Sequence, residues 1–303
     1  LQPSSVIALG FFDGVHLGHM ALLRTVRQRA DALGLPAVAL SFDTHPDALV
    51  RRTAVPLLST TAQRERLLRA EGHMDEVRFL HFDEEFMNMP WQTFLDEILI
   101  GQFGARHLVC GYDYRFGAGG AGTAELLAKA CAERGLGCDI VDKVELDGIT
   151  VSSSHIRRLL AAGDAAGAAR FLGRPYCLTG RVVHGSALGR TMDTPTANLV
   201  PDPALLLPKR GVYITRARCA AGEFAAVTNV GTRPTVDGDG VRVEAWLLDY
   251  AGDLYNREIE LDFYTYLRPE QKFGDLQALR DEIIKNADQA RAYFIARAER
   301  EEL

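Results

Sequence analysis

The sequence predicts two domains: an α/β domain built on a parallel sheet, then a mainly antiparallel β-barrel with a C-terminal helix. Three observations carry this expectation. Over the first half, short apolar runs alternate with segments of helical period. Past residues 173–175, Gly-Arg-Pro, strand patterns follow one another without helices between them. A last stretch, 276–296, repeats apolar residues at helical spacing through Leu276, Leu279, Ile283, Ile284, Ala287, Ala290, Ala292 and Phe294.

In order along the chain, strands are expected at 6–9, 37–42, 77–82, 107–111 and 138–141. Helices are expected between them at 17–33, 61–70, 91–103 and 124–134, where apolar residues recur three and four apart and Gly closes several segments. Five strands joined by helical crossovers argue for a parallel sheet covered on both faces, a Rossmann-like domain. Two short helices, 154–162 and 165–172, end at the Gly-Arg-Pro break, which sets the expected domains at 1–172 and 173–303. The second domain is expected to hold strands at 180–184, 212–219, 223–229, 241–250 and 258–267, enough for a small barrel.

Composition limits what such a chain does. Its 303 residues are 47% hydrophobic and 24% charged, the profile of a globular protein with material for two cores. Lys and Arg number 34 against 40 Asp and Glu, a net charge of -6 with the signs interleaved, so no basic footprint for nucleic acid is expected. No run approaches the roughly 18 apolar residues of a membrane span, and no basic segment leads into an apolar one at the start, so no signal peptide is expected. Five cysteines without a C-x-x-C suggest neither a disulfide framework nor a zinc knuckle, and point to a reducing cytoplasm.

The first chemistry-bearing segment is Gly10-Phe11-Phe12-Asp13-Gly14-Val15-His16-Leu17-Gly18-His19, which follows the first strand and opens the first helix. Unpaired backbone N–H groups and the helix dipole favour an anion there. His16 and His19, three apart, share a face of the first turn, and Gly18 between them admits a phosphate close to the backbone. Two imidazoles at this spacing behind Gly-x-x-Asp-Gly suit a phosphoryl group on which negative charge builds. One histidine alone would read as a helix cap.

At these residues the chain resembles the nucleotidyltransferase superfamily, through its H-x-G-H signature. In the longer form with Gly10 and Phe12 it is similar to the bacterial bifunctional riboflavin kinase/FAD synthetase (FMN adenylyltransferase) family. Three further segments match in order: 41–46 (Ser-Phe-Asp-Thr-His-Pro), 111–117 (Gly-Tyr-Asp-Tyr-Arg-Phe-Gly) and 152–157 (Ser-Ser-Ser-His-Ile-Arg). Singly, each reads as a turn, a surface ion pair or a capped helix start. The resemblance implies that His16, His19 and Arg157 are catalytic and that Gly10, Phe12, Asp13, Gly18, Asp113, Ser153 and Ser154 meet ATP. It also implies that Phe42, His45, Pro46 and Phe116 lie at the flavin. The family pattern carries an Arg where this chain has Gly120.

Gly117 to Gly122 satisfies G-x-G-x-x-G with Asp142 about 20 residues on, as a dinucleotide site asks. It does not come straight off a strand, because residues 112–116 intervene, so a loop over the substrate is the better reading.

After residue 172 the resemblance continues through a riboflavin kinase module. Segments 173–176, 180–185, 195–198 (Pro-Thr-Ala-Asn), 211–213, 229–235, 243–244, 248–249, Arg268 and 272–273 fall in the expected order. Thr196 and Asn198 supply neutral oxygens suited to Mg²⁺, a hard cation that keeps most of its waters; alone they would read as a turn and a cap. Glu244 lies on a strand whose Val241, Val243, Ala245 and Leu247 face one way, leaving Glu244 opposite them beside Arg242 and Trp246. By resemblance Glu244 is the general base, Gly185 and Arg190 meet ATP, and Tyr213 and Arg233 meet the flavin. The family carries Leu-Gly-Phe before Pro195, whereas this chain reads Met192-Asp193-Thr194, placing an acid near the ATP phosphates.

The implied activity is ATP-dependent phosphorylation of riboflavin to FMN, then adenylyl transfer from ATP to FMN giving FAD. Mg²⁺ is the expected cofactor, and riboflavin, FMN and ATP are the partners, with no nucleic acid or membrane. The alternatives are an FMN adenylyltransferase with a kinase-deficient, flavin-binding second domain, a nucleotidyltransferase for another phosphorylated acceptor, or a non-catalytic flavin sensor.

Overall fold

A computed structural model describes residues 4–185, 194–235 and 238–301, with the side chains at 232–241 and 301 outside that description. By their internal contacts the residues divide into two compact units, Leu1–His155 and Ile156–Leu303. The Gly-Arg-Pro punctuation in the sequence places the expected border at 172/173.

The first unit is a five-stranded parallel sheet: β1 (Ser5–Leu9), β2 (Ala37–Phe42), β3 (Glu76–Leu80), β4 (Ala105–Gly111) and β7 (Gly137–Val141), in the order β3-β2-β1-β4-β7. Alternate residues of the strands feed two cores, as the pleat requires. Val6, Ala8, Ala37, Ala39 and Val109 pack under helix α1 (Leu17–Leu33) and Leu68 of α3 (Thr61–Ala70). Ile7, Leu9, Val38, Leu40 and Leu108 pack on the opposite face against Leu95, Leu99 and Leu127. All five residues of central β1 are buried, as expected for a parallel strand covered on both sides.

Smaller elements complete the unit: α2 (Pro46–Val50), α4 (Glu84–Met87), α5 (Trp91–Thr93) and α6 (Ala124–Glu133), with two hairpins. One hairpin pairs β5 (Arg115–Phe116) with β6 (Gly122–Thr123), and the other pairs β8 (Glu145–Leu146) with β9 (Ile149–Thr150). The helix expected over 91–103 divides: after α5 the chain winds through Phe94–Gln102 in wider π-type turns. Apolar residues three and four apart fit either winding, so the pattern does not separate them.

The chain order reverses between β1 and β4. From β1 it steps outward to β2 and β3, then returns to β4 on the other side and ends at β7. Loops leaving the carboxyl ends of β1 and β4 therefore part and open a crevice, the usual ligand position in an open α/β sheet.

In the second unit, α7 (Ser153–Ala162, divided between the units at Ile156) and α8 (Ala165–Leu172) lead into a closed barrel. Its strands are β10 (Tyr176–Val183), β11 (Ala197–Pro201), β12 (Gly211–Cys219), β13 (Gly222–Thr235), β14 (Gly238–Leu247) and β15 (Glu258–Arg268), in the order β10-β11-β14-β13-β12-β15. Inside lie Tyr176, Leu178, Val182, Tyr213, Ala217, Val243, Ala245, Leu261 and Phe263, none more than 1% exposed. Helix α9 (Leu276–Glu301) sets Ala287 and Ala290 against Val212, Ile214 and Tyr264 on the outside. Strand β11 has no counterpart in the sequence reading, because of its five residues only Leu199 is buried and Val200 is 56% exposed, leaving no apolar run.

Candidate functional site

The loop from β1 into α1 is backbone-strained and heavily braced. Phe12, Gly14 and Val15 all take left-handed conformations, with φ of 58°, 75° and 41°. A non-glycine residue there costs on the order of 1–2 kcal/mol and persists only where its surroundings fix it. Here they do: Phe12 and Val15 are 1% and 0% exposed in the core beneath α1. Asp13, at 2% exposure, accepts hydrogen bonds from the Leu58 amide (2.9 Å to Oδ1) and the Ser59 amide (3.1 Å), and the Ser59 hydroxyl accepts one from the Gly14 amide (3.0 Å). The Asp13 carboxylate thus holds the loop to the segment before α3.

The braced loop delivers the two histidines together. His16 caps α1, its Nδ1 accepting from the His19 amide at 3.3 Å, which leaves Nε2 to carry the proton of the neutral ring and to donate. The His16 and His19 rings stack with centroids 3.6 Å apart and planes 12° apart, and Phe12 meets His19 edge-on at 5.3 Å. A Cβ on Gly18 would lie 3.2 Å from the His16 ring and 3.5 Å from the Val151 carbonyl, so glycine lets the 151–154 segment come in close. That segment is the start of α7. Ser153 Oγ donates to the Asp13 carbonyl at 3.0 Å, and Ser152 Oγ caps the helix by accepting from the His155 amide at 3.2 Å. The first turns of α1 and α7 therefore meet at one place and offer N–H groups and positive dipole ends to an anion. Ser154 is exposed, and Arg157 lies one helical turn past Ser153, half-buried.

At the end of β2, Phe42 packs edge-on against Phe82 (5.1 Å) and Phe86 (5.3 Å). His45 caps α2 through the Asp47 amide (3.1 Å), Pro46 follows as its first residue, and the His45 ring meets Phe11 at 4.5 Å. β1 and β2 are neighbours, so the histidine pair and this aromatic wall rise from the same end of the sheet. Off β4, Asp113 is exposed, with Oδ1 against Gly111. Phe116 is only 7% exposed, enclosed by Trp91, Phe94 and Tyr114, and so is first of all a core residue. The glycine run is no free loop. It sits in the β5–β6 hairpin, where Ala118 N–H donates to the Met89 carbonyl (2.8 Å) and a Cβ on Gly117 would strike the Trp91 backbone at 2.6 Å.

In the barrel the candidate residues lie on regular strands. Asn198 of β11, Glu244 of β14 and Asn229 of β13 stand directly opposite one another, one row on one face of the sheet. Val243 and Ala245 are 0% exposed inside, so this row faces out, as the alternation predicts. Glu244 is ion-paired with Arg242. Asn229 Nδ2 donates to Glu270 at 3.2 Å. A Cβ on Gly185 would fall 2.2 Å from Asn198 Nδ2, so glycine makes room for that side chain. Thr196 lines a cavity of about 330 Å³ with Val182, Leu247, Leu254 and Tyr255, and the Tyr255 ring stacks on His184 at 3.7 Å. Tyr213, expected at the flavin, is instead barrel core: it is 0% exposed and its hydroxyl donates to the Lys209 carbonyl. Arg190, Met192 and Asp193 lie outside the described residues, as does the Arg233 side chain; Thr194 is 2% exposed.

A family model for FAD synthetase matches residues 1–155, and one for riboflavin kinase matches residues 172–294. The bifunctional riboflavin kinase/FMN adenylyltransferase of Pseudomonas fluorescens is 39% identical over 96% of this chain and 93% of its own. The chain belongs to this bifunctional family. The Escherichia coli (strain K12) member is 36% identical over 97% of this chain and 94% of its own. A crystallised Streptococcus pneumoniae protein described as a macrolide-efflux protein is 31% identical with a TM-score of 0.88, covering 96% of this chain and 95% of that one. Among the described residues of this chain no helix is long and apolar enough to cross a membrane.

Within this member of the riboflavin kinase/FMN adenylyltransferase family, Arg64 and Tyr255 lie in none of the matching segments, while Asn229 and His184 lie in segments 229–235 and 180–185 without a role assigned to them. Arg64 has a signal of its own, since it lies four residues before Leu68 on the stripe of α3 that faces the core. Among the described residues no group of three or more His, Cys, Asp or Glu side chains could hold a metal ion.

Proposed function

We propose that the barrel unit phosphorylates riboflavin with ATP to give FMN, and that the parallel-sheet unit joins FMN to the adenylyl group of a second ATP to give FAD and pyrophosphate. One observation carries the reading. Relatives that bear both activities in their name align over more than nine-tenths of the chain, and each unit keeps its own cluster of suitable side chains. We draw the functional border at 172/173, supported by the start of the riboflavin kinase match.

In adenylyl transfer an FMN phosphate oxygen attacks the α-phosphorus of ATP and the bond to the departing pyrophosphate breaks. The attacking phosphate is already an anion, so the chain has to align reactants and screen charge. Alignment contributes roughly 7–11 kcal/mol in favourable cases. His16 and His19, with the helix N-termini bearing Ser153 and Ser154 and with Arg157 one turn on, meet the phosphoryl oxygens. Phe42, His45 and Pro46 flank the flavin.

In riboflavin phosphorylation the ribityl 5'-hydroxyl attacks the γ-phosphorus of ATP, Glu244 takes the hydroxyl proton, and ADP leaves. A general base contributes about 10²–10⁴-fold. Thr196 and Asn198 offer the hard, neutral oxygens that fit Mg²⁺, which when bound neutralises phosphate charge. The adjoining cavity, where Val182, Leu247, Leu254 and the Tyr255 ring stand beside polar Thr196 and Asp253, suits a planar base with polar edges. We place the work in the cytoplasm, in accord with five cysteines that form no disulfide among the described residues.

The test is chromatography after incubation with ATP, Mg²⁺ and either riboflavin or FMN. FMN and FAD from riboflavin is the expected result. FAD from FMN with nothing from riboflavin would mark a disabled kinase and implicate Asp193, and no product from either would overturn the proposal.

A further inference from the structure

Arg64 is the largest fully buried side chain among the described residues, at 0% exposure. A buried guanidinium is costly unless its donors are used. Among the described residues no carboxylate is hydrogen-bonded to this one. Its two terminal nitrogens donate to two backbone carbonyls, Phe11 at 2.9 Å and Phe42 at 2.7 Å, while Nε finds no acceptor among the described residues. Burial pushes its pKa down to about 10, against the pull of the Asp13 and Asp43 charges, so it remains a cation at neutral pH.

The two carbonyls lie at a particular place. The β1–β2 ladder ends at the Leu9–Leu40 pair, and Phe11 and Phe42 are the residues just past it on either side. Phe11 begins the braced loop that carries His16, and Phe42 begins the aromatic wall. The Ser41 hydroxyl also donates to the Phe11 carbonyl, at 2.9 Å. The Phe11 ring lies under the guanidinium at 4.1 Å and meets His45 at 4.5 Å on its way out. One planar fork therefore bridges the exits of two strands and, through Phe11, steadies the His45 ring.

We infer that Arg64 is a positioning residue for adenylyl transfer: it sets the separation of the phosphate seat from the flavin wall by clasping the Phe11 and Phe42 carbonyls. This rests on the adenylyltransferase reading of the unit. Lysine keeps the charge but holds one point where the fork holds two, so charge alone does not restore the geometry. A misplacement of about 1 Å at a reacting centre costs roughly 100-fold.

The test compares the parent chain with Arg64→Lys and Arg64→Met, after the parent has been shown to make FAD from FMN. Should the parent make none, the adenylyltransferase reading fails and the inference falls with it. KM and kcat are measured for FMN and for ATP, with riboflavin phosphorylation and thermal melting of the same samples. For Arg64→Lys the expected result is parent-like melting and riboflavin phosphorylation, an FMN kcat/KM lower by about 100-fold, and an ATP KM within about twofold of the parent. Arg64→Met should show at least the same FMN defect. Parent-like FMN constants in Arg64→Lys overturn the inference. So does an equal loss for FMN and ATP that follows the folded fraction, or an Arg64→Lys chain whose first unit no longer folds, because Arg64 would then serve folding alone.

Discussion

The two units build their candidate sites in opposite ways. In the parallel-sheet unit the chemistry sits where the strands stop, on a loop held in left-handed conformations at Phe12, Gly14 and Val15 and braced from below by Asp13 and Arg64. In the barrel it sits on the strands themselves, where the register sets Asn198, Glu244 and Asn229 side by side with no backbone strain in the row. Geometry at the first site depends on buried polar groups, Asp13 and Arg64, that hold the loop from beneath. At the second it depends on the barrel ladder, which single outward side chains do not hold up. Substitutions in the barrel row should therefore separate function from stability, whereas removing a buried acceptor such as Asp13 should couple them in the sheet unit.

The largest separation is expected for Glu244→Gln, an isosteric change on the outer face. Riboflavin phosphorylation should fall by about 10²–10⁴-fold with FAD formation from FMN at the parent rate; a parent-like rate with riboflavin would remove Glu244 as the base. His19→Ala should do the reverse, lowering FAD formation by about 10²–10³-fold, the loss typical of one donor to a developing charge. Unchanged adenylylation would sink the histidine assignment.

Asp13→Ala tests the coupling itself. It leaves the buried Leu58 and Ser59 amides without their acceptor, at about 1–3 kcal/mol each. Amide hydrogen exchange should speed at both residues and across β1, while the amides of β12 and β15 keep the parent rates. Exchange that is unchanged at Leu58 would show that the brace is dispensable.

The smallest effect is electrostatic. His81 Nδ1 lies 2.7 Å from Asp43 beside the aromatic wall, and that hydrogen bond raises the imidazole pKa above its usual 6.5. A raised folded-state value makes the pair's contribution complete below about 6.5, and the contribution fades as pH climbs through the elevated value. The His81 titration followed by NMR should return toward 6.5 in Asp43→Asn, and an identical midpoint in both proteins would contradict the pairing.

How much was legible in the sequence follows the same division. Strand and helix alternation in the first half reads directly, because parallel strands covered on both faces leave short, wholly apolar runs such as 6–9. The histidine pair is legible because it lies within four residues. Asp13 reads as a ligand contact, yet its partners are 45 and 46 residues away in sequence, a distance that no local pattern spans. Tyr213 likewise sits in a matching motif, but its strand phase turns it into the barrel with Phe263 and Tyr266. Short β11 is hidden because it gives the core one side chain.

The most direct test of two independent sites in one chain is to mix them. Separately, the His19→Ala protein given riboflavin, ATP and Mg²⁺ should stop at FMN, and the Glu244→Gln protein should make nothing from riboflavin. Combined in one vessel, they should yield FAD by chromatography, because FMN released by one barrel feeds the intact sheet unit of the other. A mixture that makes no FAD, when each variant alone lacks both activities, would contradict the assignment of one reaction to each unit.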